Sequence, residues 1–419
     1  MIERPVPDAF QYLFGLEHFG IKFGLSSIRA ILESLDHPER AYRSIHIAGT
    51  NGKGSVAAMV DTALRAAGHR TARYTSPHLI RLNERFVVNG TPASDDEIAS
   101  AVDASRTVIE RLRESGVLQV QPTFFEVTTA AAFELFRRAA VEVAVLEVGL
   151  GGRLDATNVV TPVATAITSI GFDHQQYLGS TLREIAIEKA GIIKPGVPVV
   201  VGELPAEAFE AIERIASERH AELVRAGAVL PAGYERVSPA LRGAHQLRNA
   251  AVAVALLEAA NARGLGVPHA AITAGLTEVR WPGRLDLRRL DDGRELLLDA
   301  AHNPEGAAAL AAFLRSSTAA SSKPPLVFAA MRDKAIDGML RELLPEASAL
   351  IATRASNPRS AEPRDIAAAS RAVAPGLPAF AEPSRRAALD LAWQRSRSIV
   401  VAGSIFLLGD VLAELGLEP

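Results

Sequence analysis

The sequence predicts an α/β protein: a mostly parallel sheet domain with helices on both faces, followed by a smaller α/β domain. Three observations predict it. Short β-branched apolar runs alternate with longer alanine-rich runs of helical period. The alternation halts at a polar stretch punctuated by Trp-Pro-Gly and Asp-Asp-Gly, then resumes. At 419 residues the chain is also too long for one ordinary hydrophobic core.

Taken in order, the first domain's strands are expected at "SIHIAG" (44–49), "TARYTS" (71–76), "VEVAVLEVG" (141–149), "ATAITSI" (164–170) and "VPVVVGE" (197–203). Helices are expected at 54–68, 124–140 and 180–194, with a long one over 243–264. Near-continuous apolar strands separated by helices imply a parallel sheet covered on both sides. The polar stretch 278–295 then breaks the helical period. The second alternation reads "ELLLDAA" (295–301), "PLVFAAM" (325–331), "ALIATRA" (349–355) and "SIVVAGS" (398–404). The boundary is expected near 285–290, giving domains 1–285 and 286–419. The segment 316–325, "SSTAASSKPP", reads as a polar loop.

Composition removes several function classes. With 48% hydrophobic and 22% charged residues and a formal charge of −3, the chain does not suit a general nucleic-acid or membrane-surface role. It has no cysteine, which excludes disulfides, thiolate metal sites and cysteine nucleophiles. Oxygen and imidazole ligands remain, which favours Mg²⁺ over zinc. The N-terminus lacks a basic region followed by an apolar run, and no apolar stretch approaches the roughly 20 residues that span a bilayer. A cytoplasmic protein is expected.

Each candidate strand runs at its C-terminal end into a small or charged motif: "TNGKGS", "LGGRLDATN", "GFDH" and "HNPEG". In open parallel sheets the ligand crevice lies outside those ends, so motifs distant in sequence are expected to gather. "GTNGKGS" (49–55) is read as a phosphate loop. Its glycines let backbone N–H groups approach an anion, the following helix adds its N-terminal partial charge, Lys53 a full charge, and Ser55 a hydroxyl. The spacing departs from G-x-x-x-x-G-K-[ST], because Gly54 separates Lys53 from Ser55.

Hard oxygen ligands for a nucleotide-bound Mg²⁺ are offered by Ser76 after one strand and Glu147 at the end of another. "GFDH" adds Asp173 and His174. The plainer alternatives are a salt bridge from Glu147 to an arginine and a solvated His174. Lys189, in "IEKAGIIKPG", reads either as a surface lysine paired with an acid or as a functional amine. Asn249 offers both donor and acceptor for an adenine edge. Arg284, in "WPGRLD", suits phosphate. Asp299, His302 and Asn303 follow a strand in "LLLDAAHNPEG", where a helix cap is the alternative.

"GTNGKGS" resembles the shortened phosphate loop of the Mur-ligase superfamily of ATP-dependent amide ligases. The likeness widens through "FGIKFGLSSIRAILESLDHPER" (19–40), "YTSPHLIRLNERFVVNG", "TFFEVTTAAAFELF", "VLEVGLGGRLDATNVV", "ITSIGFDH", "EKAGIIKPG", "WPGRLD" and "DAAHNPEG". Together these resemble the folylpolyglutamate synthase family, including its bifunctional members that are also dihydrofolate synthases. The resemblance implies a P-loop domain of the Mur-ligase central type followed by a Rossmann-like glutamate-ligase domain. It implies ATP phosphates on Thr50, Asn51, Gly52, Lys53, Gly54 and Ser55, with adenine and ribose on Asn249 and Asp299 and phosphate on Arg284. One or two Mg²⁺ ions would sit on Ser76, Glu147, His174 and a carbamylated Lys189.

His302 would lie near the reacting carboxylate, making Lys53, Lys189, Arg284 and His302 the expected catalytic set. Thr123, Phe124, Phe125 and Glu126, with Arg153, Leu154 and Asp155, would form a pterin pocket, and Gly403 and Ser404 would border the incoming glutamate. The implied substrates are dihydropteroate, reduced folates and L-glutamate, handled by a monomer without nucleic acid or membrane. Competing readings are a sister ligase acting on muramyl peptides, a P-loop phosphotransferase, and a non-catalytic nucleotide-binding module. Only about 45 residues precede the loop, few for the sister ligase's extra domain.

Overall fold

The computed structural model describes residues 8–17, 20, 22–317 and 322–418. Phe19 and Ile21 of the first family-like motif, His18 before it, the N-terminal stretch 1–7, and positions 318–321 of the expected polar loop lie outside the described residues. Ser316 and Ser317, expected in that loop, instead close the helix Pro304–Ser317.

Two compact units share the chain. The first comprises 1–77, 82–238 and 248–279, and the second 78–81, 239–247 and 280–419. The first is built on an eight-stranded sheet: β1 (Arg43–Ala48), β2 (Thr71–Tyr74), β3 (Phe86–Val88), β4 (Thr91–Pro92), β5 (Val143–Glu147), β6 (Ala164–Ile167), β7 (Val199–Val201) and β8 (Leu223–Arg225). Their spatial order is β4-β3-β2-β5-β1-β6-β7-β8. From β2 to β8 every pairing is parallel, and β3 and β4 add an antiparallel edge. β1 lies at the centre with five of its six residues buried, as a strand covered on both faces requires.

One face packs against Phe133 and Phe136 of the helix Phe124–Arg138 and the helices Ser26–Ser34 and Asp95–Glu114. The same face, over β6 and β7, packs against Ile185, Ile192 and Ile193 and the helix Ala206–Glu218. Burying each such side chain contributes about 1.5–3 kcal/mol.

The second unit holds a six-stranded sheet: β9 (Asp286–Arg289), β10 (Glu295–Asp299), β11 (Leu326–Phe328), β12 (Leu350–Ala352), β13 (Ala379–Ala381) and β14 (Ser398–Ala402). The order is β13-β12-β11-β14-β10-β9, parallel except for β9. Apolar clusters cover both of its faces. No described helix is long and apolar enough to cross a membrane.

All nine expected strands form. The expected helix over 180–194 is shorter, Leu182–Ala190. The long helix runs from Ala244 to Ala262, close to the expected 243–264, and carries Arg248 and Asn249 in its second turn. Five short strands, β3, β4, β8, β9 and β13, were not expected. β3 and β4 are joined by Asn89-Gly90, both at positive φ, a pair favoured in two-residue hairpin turns. β9 falls in the stretch read as linker because its residues, "DLRR", are mostly charged.

Candidate active site

The site is assembled outside the C-terminal ends of β1, β5 and β6. After β1 the chain turns through Gly49 (φ +151°) and Gly52 (φ +87°) into the helix Lys53–Ala66. A Cβ on Gly49 would lie 2.0 Å from Thr168 Oγ1, and one on Gly52 would lie 2.3 Å from Asn249 Oδ1. Both positions therefore need glycine for space as well as for backbone conformation.

The loop is held from the β6 side. Thr50 N donates to Ser169 O (2.9 Å), Asn51 N to Ser169 Oγ (2.9 Å), Thr168 Oγ1 to Asn51 O (2.6 Å), and Gly171 N to Thr50 Oγ1 (3.0 Å). Thr168, Ser169 and Gly171 were not singled out from sequence. The available signal was that "TSIG" follows a strand adjacent to β1, and parallel neighbours place their exits side by side.

Two lysines converge on one carbonyl. Lys53 Nζ donates to Gly49 O at 3.0 Å and to Thr50 O at 3.3 Å, and Lys189 Nζ donates to the same Gly49 O at 3.1 Å. Lys189 is buried on the helix Leu182–Ala190. Burial first, and the Lys53 charge second, pull its pKa from 10.5 to about 7, against the opposing pull of Asp173 and Asp155. This excludes the surface-lysine reading. The acid beside it in sequence, Glu188, instead pairs with Arg153 at 2.8 Å.

Of the expected metal ligands, Ser76 and Glu147 are adjacent, with Ser76 N donating to Glu147 Oε2 at 3.3 Å. Glu147 is buried at the end of β5. His174, at φ +50°, begins the short helix Gln175–Leu178, and its N–H donates to Asp173 Oδ1 at 2.9 Å. Among the described residues no group of three or more His, Asp or Glu is placed to hold a metal by itself. Ser76 and Glu147 bring a hydroxyl and a carboxylate together, and a Mg²⁺ held there would take further oxygens from phosphate and water.

The segment expected to meet the pterin has a structural duty that its sequence also announces. Thr123 caps the helix Phe124–Arg138, and Glu126 closes a capping box by accepting from Thr123 N (2.8 Å) and Oγ1 (2.9 Å) through Oε2. Glu126 Oε1 is buried and has no partner among the described residues. Phe124 stacks near Phe14, with the Arg85 guanidinium 5.1 Å from its ring centre, and Phe125 lies against Tyr74.

Asp155 is likewise engaged. Its Oδ2 accepts from Leu150 N (2.9 Å), and its Oδ1 accepts from Thr157 N (3.0 Å) and the Thr157 hydroxyl. Burial pushes its pKa up, opposed by these bonds. The Arg153 side chain points to Glu188 rather than standing free.

In the second unit, the expected ligand residues mostly complete their own loops. Asp299, buried at the end of β10, accepts from Leu285 N (2.8 Å) and Ala301 N (2.9 Å), one oxygen each. Burial raises its pKa, and the Arg284 charge opposes this. Arg284 donates to Gly283 O at 3.1 Å. Asn303 Oδ1 accepts from Gly306 N at 2.8 Å, so the helix-cap alternative holds for this residue. Ser404 Oγ accepts from Phe406 N at 3.2 Å, capping the helix Ile405–Glu414. His302 Nδ1 lies 2.9 Å from Ala300 O. A carbonyl only accepts, so Nδ1 carries the proton and Nε2 is the basic nitrogen.

The Mur ligase middle domain matches residues 47–228, and the Mur ligase glutamate ligase domain matches residues 283–405. The dihydrofolate synthase/folylpolyglutamate synthase of Bacillus subtilis (strain 168) is 38% identical over 385 residues, covering 87% of this chain and 88% of the relative. The chain belongs to the folylpolyglutamate synthase/dihydrofolate synthase family of ATP-dependent ligases.

Solved members of the family share the whole architecture. E. coli FolC, in complex with DHPP and ADP, superposes with a TM-score of 0.86 at 28% identity, over 99% of this chain and 98% of that one. A bifunctional folylpolyglutamate synthase/dihydrofolate synthase with Mn, AMPPNP and L-glutamate bound gives 0.83 at 31%, over 98% of each chain. Two mostly parallel α/β domains are thus the family's fold.

Proposed function

We propose that this chain adds L-glutamate both to dihydropteroate and to the γ-carboxylate of reduced folates, with ATP and a divalent cation. The observation that carries the reading is the glycine loop with Lys53 and Lys189 converging on Gly49 O, beside Ser76 and Glu147. It is the arrangement that a triphosphate and a metal need, in a chain whose relatives bear both activities in their names.

Backbone N–H groups of Gly52, Lys53 and Gly54 would hold the phosphates, with Asn51 and Ser55 alongside and Asn249 at the adenine. Ser76, Glu147 and His174 would hold Mg²⁺, which when bound draws charge from the transferring phosphoryl group. The substrate carboxylate takes the γ-phosphoryl group to give an acyl phosphate, and the amine of L-glutamate displaces phosphate from it. Lys53 and Arg284 lower the repulsion between carboxylate and triphosphate by fixed positive charge. Asp299, whose oxygens face backbone N–H groups, fixes the loop that carries Arg284 as well as serving the ribose.

Neutral amine reacts with CO₂, and Lys189 is half neutral near pH 7. Its carbamate, R–NH–COO⁻ formed with loss of one proton, would replace a buried cation with a metal-binding carboxylate. Phe124, Phe125, Glu126 and Asp155, with Arg153 and Leu154, would face the pterin. His302 would stand by the reacting carboxylate and Ser404 by the glutamate. On this reading 1–285 is the nucleotide domain, 286–419 the glutamate-ligase domain, and the working form a monomer.

The test is phosphate release from ATP with L-glutamate and either dihydropteroate or tetrahydrofolate. Release with both, each dependent on glutamate, is expected. Release with neither ends the folate reading, and release without glutamate points to a phosphotransferase.

A further inference from the structure

β1 is the central strand of its sheet, yet its fourth residue is a histidine. His46 is fully buried, and its Nδ1 has no hydrogen-bond partner among the described residues. An apolar residue would avoid that cost, since an unmet buried acceptor is unfavourable. The other nitrogen explains what the ring does. Nε2 lies 2.8 Å from Thr157 Oγ1, and the Thr157 hydroxyl in turn reaches Asp155 Oδ1.

The direction of this relay follows from the donors available. A carboxylate only accepts, so the hydroxyl proton of Thr157 goes to Asp155. The hydroxyl oxygen is then the acceptor for His46, and Nε2 must be the protonated nitrogen. Burial, and secondarily the charge of Lys194, pull the pKa of His46 down to about 3, so the ring stays neutral and this tautomer persists. Without the histidine, the hydroxyl can turn toward another acceptor, and Asp155 keeps only backbone donors on that oxygen.

We propose that His46 is a positioning residue for the pterin substrate. Through Thr157 it holds the Asp155 carboxyl group in one orientation, so that a heterocycle with N–H donors meets an acceptor already fixed in place. The inference rests on the assignment of Asp155 to the pterin pocket. It places the determinant of substrate affinity on a strand residue that no ligand touches.

His46→Phe fills the same space without the donor, and His46→Gln restores an N–H at nearly the position of Nε2. Equilibrium titration with dihydropteroate in the absence of nucleotide is the direct readout, followed by KM for dihydropteroate and for ATP and by kcat. His46→Phe is expected to weaken dihydropteroate binding about tenfold, as loss of a hydrogen bond to a charged group does, with ATP KM and kcat unchanged. His46→Gln is expected to recover most of the loss. Thr157→Val should copy His46→Phe and Thr157→Ser should not, and this pair carries the test if the histidine variant fails to fold.

Equal losses in dihydropteroate binding, ATP KM and kcat would overturn the proposal, because they would report a packing defect passed from β1 to the phosphate loop. Unchanged dihydropteroate binding in both His46→Phe and Thr157→Val would overturn it too. Asp155→Asn separates the two levels. If it leaves dihydropteroate binding intact, the pterin-pocket assignment itself fails. If it weakens binding while His46→Phe does not, only the positioning role fails.

Discussion

The two sheets of this protein end their central strands in polar loops, and the loops use their polar side chains in opposite ways. At the exit of β10 and β14 nearly every polar group completes the protein's own backbone. Asp299 takes two N–H groups, Asn303 caps one helix and Ser404 another. At the exit of β1 and β5 the charges are left in tension. Two ammonium groups share Gly49 O, one of them buried with a strongly lowered pKa, and Glu126 keeps a buried oxygen without a partner among the described residues. Folding alone does not favour such an arrangement. A polyanion and a metal would relieve it. On the proposed function the first loop cluster is the one shaped by a ligand, and the second is the frame of the loops that carry Arg284 and His302.

The largest effect that would break this contrast is on turnover. Lys53→Ala removes a half-buried charge whose structure-borne contacts are two carbonyls of its own loop. Phosphate release should fall at least about a hundredfold, as when a charge-stabilising donor is removed from an active site. The unfolding midpoint should barely move. Activity near wild type would show that the loop does not grip triphosphate, and the difference between the two edges would lose its meaning.

Lys189 sharpens the contrast through pH. Its pKa is about 7 in the folded protein against 10.5 ordinarily, so between those values the unfolded chain holds a proton that the folded one lacks. Raising the pH through this window therefore stabilises the wild type, and below about pH 7 the full cost of burying the ammonium is felt. Lys189→Met removes that cost. In CO₂-free buffer its stability advantage should be greatest at pH 6 and shrink steadily toward pH 10, as read by denaturant unfolding. Turnover should be lost meanwhile, and in Lys189→Ala, which leaves room at the site, short carboxylic acids should partly restore it. An advantage independent of pH would mean that the amine is not depressed at all.

The sequence shows the first edge more readily than the second for a physical reason. Lys53, Glu147 and Lys189 are charged residues among glycines or apolar neighbours, and such residues stand out from pattern alone. The central strands are legible in the same way, because burial on both faces demands unbroken apolar runs. What stays hidden is partnership. Nothing local in "TSIG" says that Thr168 and Ser169 hold a loop about 120 residues earlier, since that follows from β6 lying beside β1. Thr123 and Glu126 read as ligand residues and prove also to be a capping box, a local pattern that had been available. Edge strands such as β8 and β13, three residues each, are too short to show a period.

A smaller effect is expected at the second edge, and mainly on stability. Asp299→Asn keeps the shape but turns one acceptor into an amide facing a backbone N–H. That mismatch costs about 1–3 kcal/mol, visible as a lower denaturant midpoint. If Asp299 also holds the ribose, the KM for ATP rises as well, measured at a temperature where the variant is fully folded. A loss of kcat matching that of Lys53→Ala would erase the distinction between frame and ligand site.

The smallest effect concerns Asn303. Its Oδ1 is the acceptor for Gly306 N at the start of the helix Pro304–Ser317, and the residue is buried. Asn303→Ala leaves that N–H without its acceptor and should cost about 1 kcal/mol of stability, the usual loss when a capping side chain is removed. Asn303→Ser restores a capping oxygen on a shorter side chain and should recover most of it. Asn303→Asp keeps the acceptor but adds a second carboxylate four residues after buried Asp299, so it should recover less despite the favourable helix terminus. In all three, kcat should stay within about twofold of wild type, because a cap acts on the helix as a whole and leaves no charge missing from the reaction. A tenfold fall in kcat with an unchanged unfolding midpoint would place Asn303 against the substrate, and the second edge would then have to be read as a ligand surface like the first.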